Sequence, residues 1–297
     1  MKNENDKIPP ELLKRIKRIE LKAGVLVADV SSGGYSSVFK GQGIEFQEVR
    51  EYIPGDDVRK IDWNVTARHG VPYIKRYKEE RELNVLMLLD LSGSLKYGSG
   101  LKLKKDILLE TAAILSFTGL FNQDKIGAVF FTNEIEEYIP PTKNKNSILR
   151  LIRDILFYKP KGLLTDINGA FDFTLKTMKR KGVIFLFSDF FSEIDSSKLY
   201  ILSRKHDLIP VIINDVFEFS EINVGLVDAI DNENGKRMLI DTSSASYKKM
   251  IRNRIEKREA ILQEFKKNNI TPLIINTNEN TEKAIISYFE KRKKIRK

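Results

Sequence analysis

The chain has 297 residues, 41% of them hydrophobic and 31% charged, which is ample apolar material for one large or two modest globular domains. With no cysteine and only His69 and His206, disulfides, thiolate metal sites and cysteine nucleophiles are excluded, and a metal would need oxygen ligands. No window supplies the ~20 uncharged apolar residues of a membrane span, and the charged first residues lack the apolar run of a secretory signal, so a cytoplasmic protein is expected.

After Pro9-Pro10, the residues Leu12, Leu13, Ile16 and Ile19 share one face of a short helix. Residues 25–80 read as short strands and turns. The turns are marked by Ser31-Ser32-Gly33-Gly34, Gly41-Gln42-Gly43 and Pro54-Gly55-Asp56-Asp57, and Arg68-His69-Gly70 precedes an alternating strand at 71–77. From Asn84 onward apolar strands alternate with helices, the pattern of a parallel sheet covered on both faces. Strands are predicted at 84–89, 126–131, 183–187, 208–213 and 271–275. Helices are predicted at 102–120, 146–156, 166–180, 195–204, 247–267 and 281–292. Segments 134–139 and 236–241 read as antiparallel edge strands or hairpin arms. The expected organisation is a β-rich segment, 1–82, wrapped against a Rossmann-like α/β domain, 83–297.

The net charge of +10 is uneven: residues 243–297 hold 15 Lys and Arg against 6 Asp and Glu, and residues 1–82 hold 16 against 14. The tail from Lys291 to Lys297 ends a helical pattern, where cations favour the negative end of the macrodipole. No aromatics alternate with these lysines as base stacking requires, so a solvated helix end is the expected reading and polyanion or nucleic-acid binding the alternative.

Ligands of an open α/β sheet bind at the carboxyl ends of the strands, near the reversal of strand order. There the first strand runs into Asp90-Leu91-Ser92-Gly93-Ser94, a later strand into Ser188-Asp189, and Gly162-Leu163-Leu164-Thr165-Asp166 brings a hydroxyl to a helix start. Two carboxylates and three hydroxyls make a hard-oxygen site suited to Mg²⁺. The same residue types are common turn formers and helix caps: Thr165 can cap the helix from Asp166, and Asp189 the next one.

The set Asp90-x-Ser92-x-Ser94, Thr165 and Asp189 resembles the metal-ion-dependent adhesion site of von Willebrand factor A domains. The resemblance implies a von Willebrand factor A-like fold and one divalent cation, Mg²⁺ or alternatively Mn²⁺ or Ca²⁺. Asp90, Ser92, Ser94, Thr165 and Asp189 would be its ligand positions, and a partner would supply a carboxylate.

A second likeness spans nearly the whole chain. The run GIEFQEVREYIPGDDVRKIDWN at 43–64, followed by Thr66-Ala67-Arg68 and by 75–82 with Glu79-Glu80-Arg81-Glu82, is similar to a widespread bacterial family, the domain-of-unknown-function family fifty-eight. Asp231-Asn232-Glu233-Asn234-Gly235 and Asp241-Thr242-Ser243 are similar to its Asp-Pro-Glu-Thr-Gly and Asp-Thr-Ser elements without the Pro and Thr, and Leu95 stands where many members have Met. Members carry a von Willebrand A-like domain, typically accompany MoxR-type AAA+ ATPases, and often begin with two membrane spans that this chain lacks, which is a further ground for expecting a cytoplasmic form.

Within 43–82, Glu45, Glu48, Glu51, Asp56, Asp57 and Asp62 stand at short spacings from Arg50, Arg59, Lys60 and Arg68, so an ion-pair network that is structural or docks a partner is expected. Other motifs fail. Gly33-Gly34-Tyr35-Ser36 has no kinase companions, Tyr97-Gly98-Ser99-Gly100 is no P-loop, and Ser92 is not in G-x-S-x-G. No nucleotide is expected, and His69 and His206 read as ordinary polar residues. The sequence therefore predicts a non-enzymatic, cation-dependent protein-binding module, an adaptor for clients of a MoxR-like ATPase that offer an acidic residue. The alternative is a metal-assisted phosphoester hydrolase.

Overall fold

The computed structural model describes residues 17–18, 43–80, 82–100, 102–230 and 236–295. The expected first helix, the turns at 31–34 and 41–42, the segment 231–235 and the side chain of Glu45 lie outside what is described. The chain divides into two compact units, Phe39–Glu82 and the remainder, of which Leu83–Lys297 carries the elements below.

In the smaller unit, β1 (Gly43–Glu51) and β2 (Tyr73–Glu80) pair antiparallel with an irregularity between Phe46 and Glu48. A single 3-10 turn and helix α1 (Trp63–His69) fill the connection. That helix corrects the strand-and-turn expectation for 25–80. Asp62 accepts hydrogen bonds from the Asn64 and Val65 amides at 3.0 and 3.3 Å, and Gly70 closes the helix at φ 75°. Seven residues are under two turns, too few for a periodic apolar face to show in the sequence.

The larger unit begins with β3 (Asn84–Asp90), α2 (Lys104–Phe121), β4 (Lys125–Phe131), β5 (Ile135–Thr142), α3 (Lys145–Phe157) and α4 (Ile167–Thr177). It continues with β6 (Val183–Ser188), α5 (Ser196–Lys205), β7 (Asp207–Asn214), β8 (Leu226–Ile230) and β9 (Arg237–Asp241). The last elements are α6 (Ala245–Lys267), β10 (Leu273–Asn276) and α7 (Thr281–Ile295). Six strands form one sheet in the order β10-β7-β6-β3-β4-β5, parallel except for β5 at the edge. The fold is mixed α/β with a mostly parallel central sheet, as expected, and 134–139 is indeed an antiparallel edge.

Strands β3, β4 and β6 are buried almost throughout, which is why they read as continuous apolar runs rather than alternating ones. Leu86 and Leu88 join Val129, Phe131, Ile184 and Leu186 in a cluster with Ala170 and Phe171 of α4, Leu199 and Leu202 of α5 and Phe265 of α6. The intervening Met87 Sδ instead meets the Ser116 hydroxyl of α2. Alternate residues of one strand thus anchor helices on opposite faces. The segment 236–241 is a hairpin arm, but its partner β8 was not apparent in the sequence; five residues with alternating exposure carry little apolar signal. Among the described residues no helix is long and apolar enough to cross a membrane.

From β3 the chain moves outward to β4 and β5, then returns to lay β6 on the other side of β3. The strand order reverses between β3 and β6, so their carboxyl ends, Asp90 and Ser188, flank the crevice where such sheets bind ligands.

Candidate metal centre at the strand ends

Asp90 ends β3 with 1% of its surface exposed. Its Oδ1 accepts from the Ser92 amide at 3.0 Å, which folds the loop after the strand back onto the carboxylate. The Ser92 and Ser94 hydroxyls lie 3.1 Å apart. The Gly93 amide donates to the Leu163 carbonyl at 3.0 Å and so ties this loop to the one before α4. From that second loop the Thr165 hydroxyl donates to both Asp90 oxygens at 3.2 and 3.1 Å. Helix α4 is capped by Asp166, whose Oδ1 accepts from the Gly169 amide at 3.0 Å, so Thr165 is not the cap. Glu136 fixes the same loop by accepting from the Lys161 and Gly162 amides, each at 3.0 Å, and from Thr132 at 2.8 Å. Burial works against the Glu136 charge, but these hydrogen bonds hold its carboxyl below the usual range.

Asp189 stands at the end of β6, 5% exposed, and does not cap a helix; α5 is capped by Asp195. Its Oδ2 lies 3.5 Å from Nζ of Lys104, the first residue of α2, and that ammonium also reaches Glu218 Oε1. Lys104 has no exposed surface. Behind this pair, Asp215 accepts from the Ser99 amide at 2.9 Å, the Ser99 hydroxyl at 2.5 Å and the Thr277 hydroxyl at 2.7 Å. Burial opposes the Asp215 charge, yet these donors keep its carboxyl low. On α6, Arg258 Nη2 donates to the Asp189 carbonyl and to Asn214 Oδ1, each at 2.8 Å, and its guanidinium lies 5.3 Å from both the Phe191 and Phe219 rings.

Of the five sequence-predicted ligand positions, Asp90, Ser92, Ser94 and Thr165 are joined by hydrogen bonds at the strand-order reversal, and Asp189 follows the neighbouring strand end with its carboxylate paired to Lys104. Burial, followed by the charge of Asp189, pushes the Asp90 carboxyl up to about 6 against hydrogen bonds from Ser188 and Ser92. Four buried carboxyls, Asp90, Asp189, Asp215 and Glu218, face two buried cations, Lys104 and Arg258. The cluster is thus short of positive charge when Asp90 is ionised, and the donors near Asp90 are hard oxygens, a set that fits a divalent cation. Among the described residues no three His, Asp or Glu side chains form a metal-holding cluster, so the hydroxyls of Ser92, Ser94 and Thr165 would have to complete the shell.

Ser188, named in the sequence only as the residue before Asp189, donates to Asp90 Oδ2 at 2.7 Å. Lys104, Asp215, Glu218 and Arg258 were missed. A lysine opening a helix that runs apolar through Ile107–Leu109 and Ala112–Leu115 was the available signal.

In the smaller unit two ion pairs join the charged residues named from the sequence. Arg50 pairs with Asp56 at 2.8 Å and Lys75 with Asp62 at 3.4 Å, both partly exposed. Asp57 accepts from the Arg59 amide at 3.0 Å, and Glu51 accepts from the Tyr73 hydroxyl at 3.5 Å. The side chains of Arg59 and Arg68 are exposed and carry no ion pair among the described residues; Glu48 is also exposed. Asp56, Asp57 and Asp62 each accept from a backbone amide two or three residues away.

Residues 48–261 match the family model described as "Protein of unknown function DUF58". The uncharacterized protein Rv1480 of Mycobacterium tuberculosis strain H37Rv is 28% identical over 229 residues, 76% of this chain and 72% of that protein; Mb1516 of Mycobacterium bovis gives the same figures. Among solved structures, that of the conserved hypothetical protein BatB from Bacteroides thetaiotaomicron has 12% identity and a TM-score of 0.45, covering 71% of this chain and 99% of that one.

Proposed function

The chain belongs to the DUF58 family, and from that premise we propose that it is a non-enzymatic protein-binding module gated by a divalent cation. In this reading the Leu83–Lys297 unit is a von Willebrand factor A-like domain, and Asp90, Ser92, Ser94, Thr165 and Asp189 hold one Mg²⁺ directly or through water. When bound there, Mg²⁺ would attract a carboxylate of the partner. Residues of this chain do the rest: Ser188 and the Ser92 amide orient Asp90, Lys104 and Arg258 fix the Asp189 segment, and the Gly93–Leu163 bond sets the spacing of the two hydroxyl-bearing loops. The observation that carries the proposal is the Thr165 hydroxyl donating to both Asp90 oxygens across 75 residues, with the charge of Asp189 acting on Asp90 from the neighbouring strand at the reversal of strand order.

The partner is proposed to be a MoxR-type AAA+ ATPase or an acidic client that the module recruits to it, on the strength of the family likeness. Purified protein used as bait in a lysate, with Mg²⁺, with EDTA and as Asp90→Ala, tests this. Capture of an AAA+ ATPase or client only with Mg²⁺ and intact Asp90 is expected. Equal capture under all three conditions would contradict ion gating.

A further inference from the structure

Exposed apolar side chains gather on the loops around the strand ends. Leu163 and Leu164, 38% and 55% exposed, immediately precede Thr165. Tyr97, 36% exposed, follows the Ser92 and Ser94 loop, and its ring lies 5.9 Å from the Lys104 ammonium that reaches Asp189. Val216 and Phe217, 43% and 45% exposed, precede Glu218 in the same turn. These positions are held in place. The Leu163 carbonyl accepts from Gly93, Asp215 receives both Ser99 donors, and the Phe217 amide donates to Asp215 at 3.0 Å.

The rim is also cationic on one side. Arg254 of α6 lies 5.6 Å from the Phe191 ring, two residues past Asp189, and carries no ion pair among the described residues. A hard-ion site needs only polar neighbours for its own sake, and singly exposed apolar residues are ordinary. Here five of them border one small polar centre on three tethered loops, beside an unpaired cation. That combination suits an acidic side chain whose neighbours are large and apolar.

Building on the cation-gated reading above, we propose that this surface selects its partner by an acidic residue flanked by bulky apolar side chains. The acid faces the ion site and Arg254, while its neighbours pack on Leu163, Leu164, Tyr97, Val216 and Phe217. Burial of the flanking side chains then contributes affinity that a lone carboxylate does not provide.

A display library of peptides with a fixed central Asp and random flanks, panned on the full chain in Mg²⁺ and eluted with EDTA, tests the inference. Direct Mn²⁺ binding, measured alongside, tests the metal site itself. Enrichment of Leu, Ile, Val or Phe next to the Asp is expected. For a selected peptide, the double variant Leu164→Ser/Phe217→Ser should raise Kd about tenfold or more while Mn²⁺ affinity stays within about twofold. Unbiased flanks, flanks rich in Gly or Ser, or a double variant that binds as well as the parent overturn it. So does a library that yields no EDTA-sensitive binder although Mn²⁺ binds. Absence of Mn²⁺ binding would instead overturn the metal reading, and the inference with it.

Discussion

In the Phe39–Glu82 unit Asp56 meets Arg50 six residues away, and Asp62 caps a helix that starts at the next residue. At the strand ends Asp90 meets Thr165 and Ser188 across 75 and 98 residues, and Asp189 meets Lys104 across 85. The first group is partly solvated and satisfied locally; the second is buried and depends on the assembled sheet. Local acids of the first kind shape turns, and their loss is absorbed by water. Buried acids of the second kind oppose stability unless something balances them, and groups kept in that condition mark functional sites.

The contrast can be broken or sharpened by substitution. The largest effect is expected for Lys104→Met, which leaves Asp189 and Glu218 without their shared, fully buried cation. Breaking such a pair costs about 3–5 kcal/mol, read as a lower urea midpoint by circular dichroism. An unchanged midpoint would place Lys104 with the dispensable surface charges.

Asp90→Asn comes next, with the opposite sign. The folded carboxyl holds its proton to about pH 6 and the unfolded one only to the ordinary aspartate value of 3.8. The folded state therefore binds more protons between these values, and metal-free wild type loses stability as pH rises from about 4 to 6. Asp90→Asn should flatten that slope and be more stable than wild type at pH 7 without metal by up to about 3 kcal/mol. Thermal unfolding across that pH range in EDTA checks it.

The smallest effects belong to the other region. Asp62→Ala removes the cap of α1 and should speed amide exchange in Trp63–His69 several-fold without moving the sheet transition. Trp63, the single tryptophan, gives a fluorescence signal specific to this unit. Arg50→Ala removes a partly exposed pair with Asp56 and should change stability by less than about 1 kcal/mol.

The sheet was legible because strands buried on both faces need unbroken apolar runs, and Val85 to Leu89 and Val183 to Phe187 supply them. The edge strand β5 and the arm β9 showed as weaker segments, whereas β8 and α1 are too short for either period to register. The five proposed oxygen positions were picked out by their spacing from strand ends and through a resemblance. What supports them was not. Lys104, Asp215, Glu218 and Arg258 stand on elements distant in sequence from Asp189, and only the packed fold reveals that a lysine at a helix start faces a carboxylate from another strand. In 43–82 the sequence suggested one charged network because acids and bases alternate closely, and the same close spacing lets Asp57 and Asp62 accept from amides two residues on.

Asp90 is proposed to belong to a divalent-cation site. Titration of the full chain with Mn²⁺, followed by the loss of its free electron paramagnetic resonance signal, tests this most directly when wild type and Asp90→Asn are compared at pH 7.5. The account predicts one Mn²⁺ bound per chain, displaced by Mg²⁺ and lost in Asp90→Asn while the variant stays folded. Mn²⁺ that binds equally to both proteins, or to neither, would contradict it.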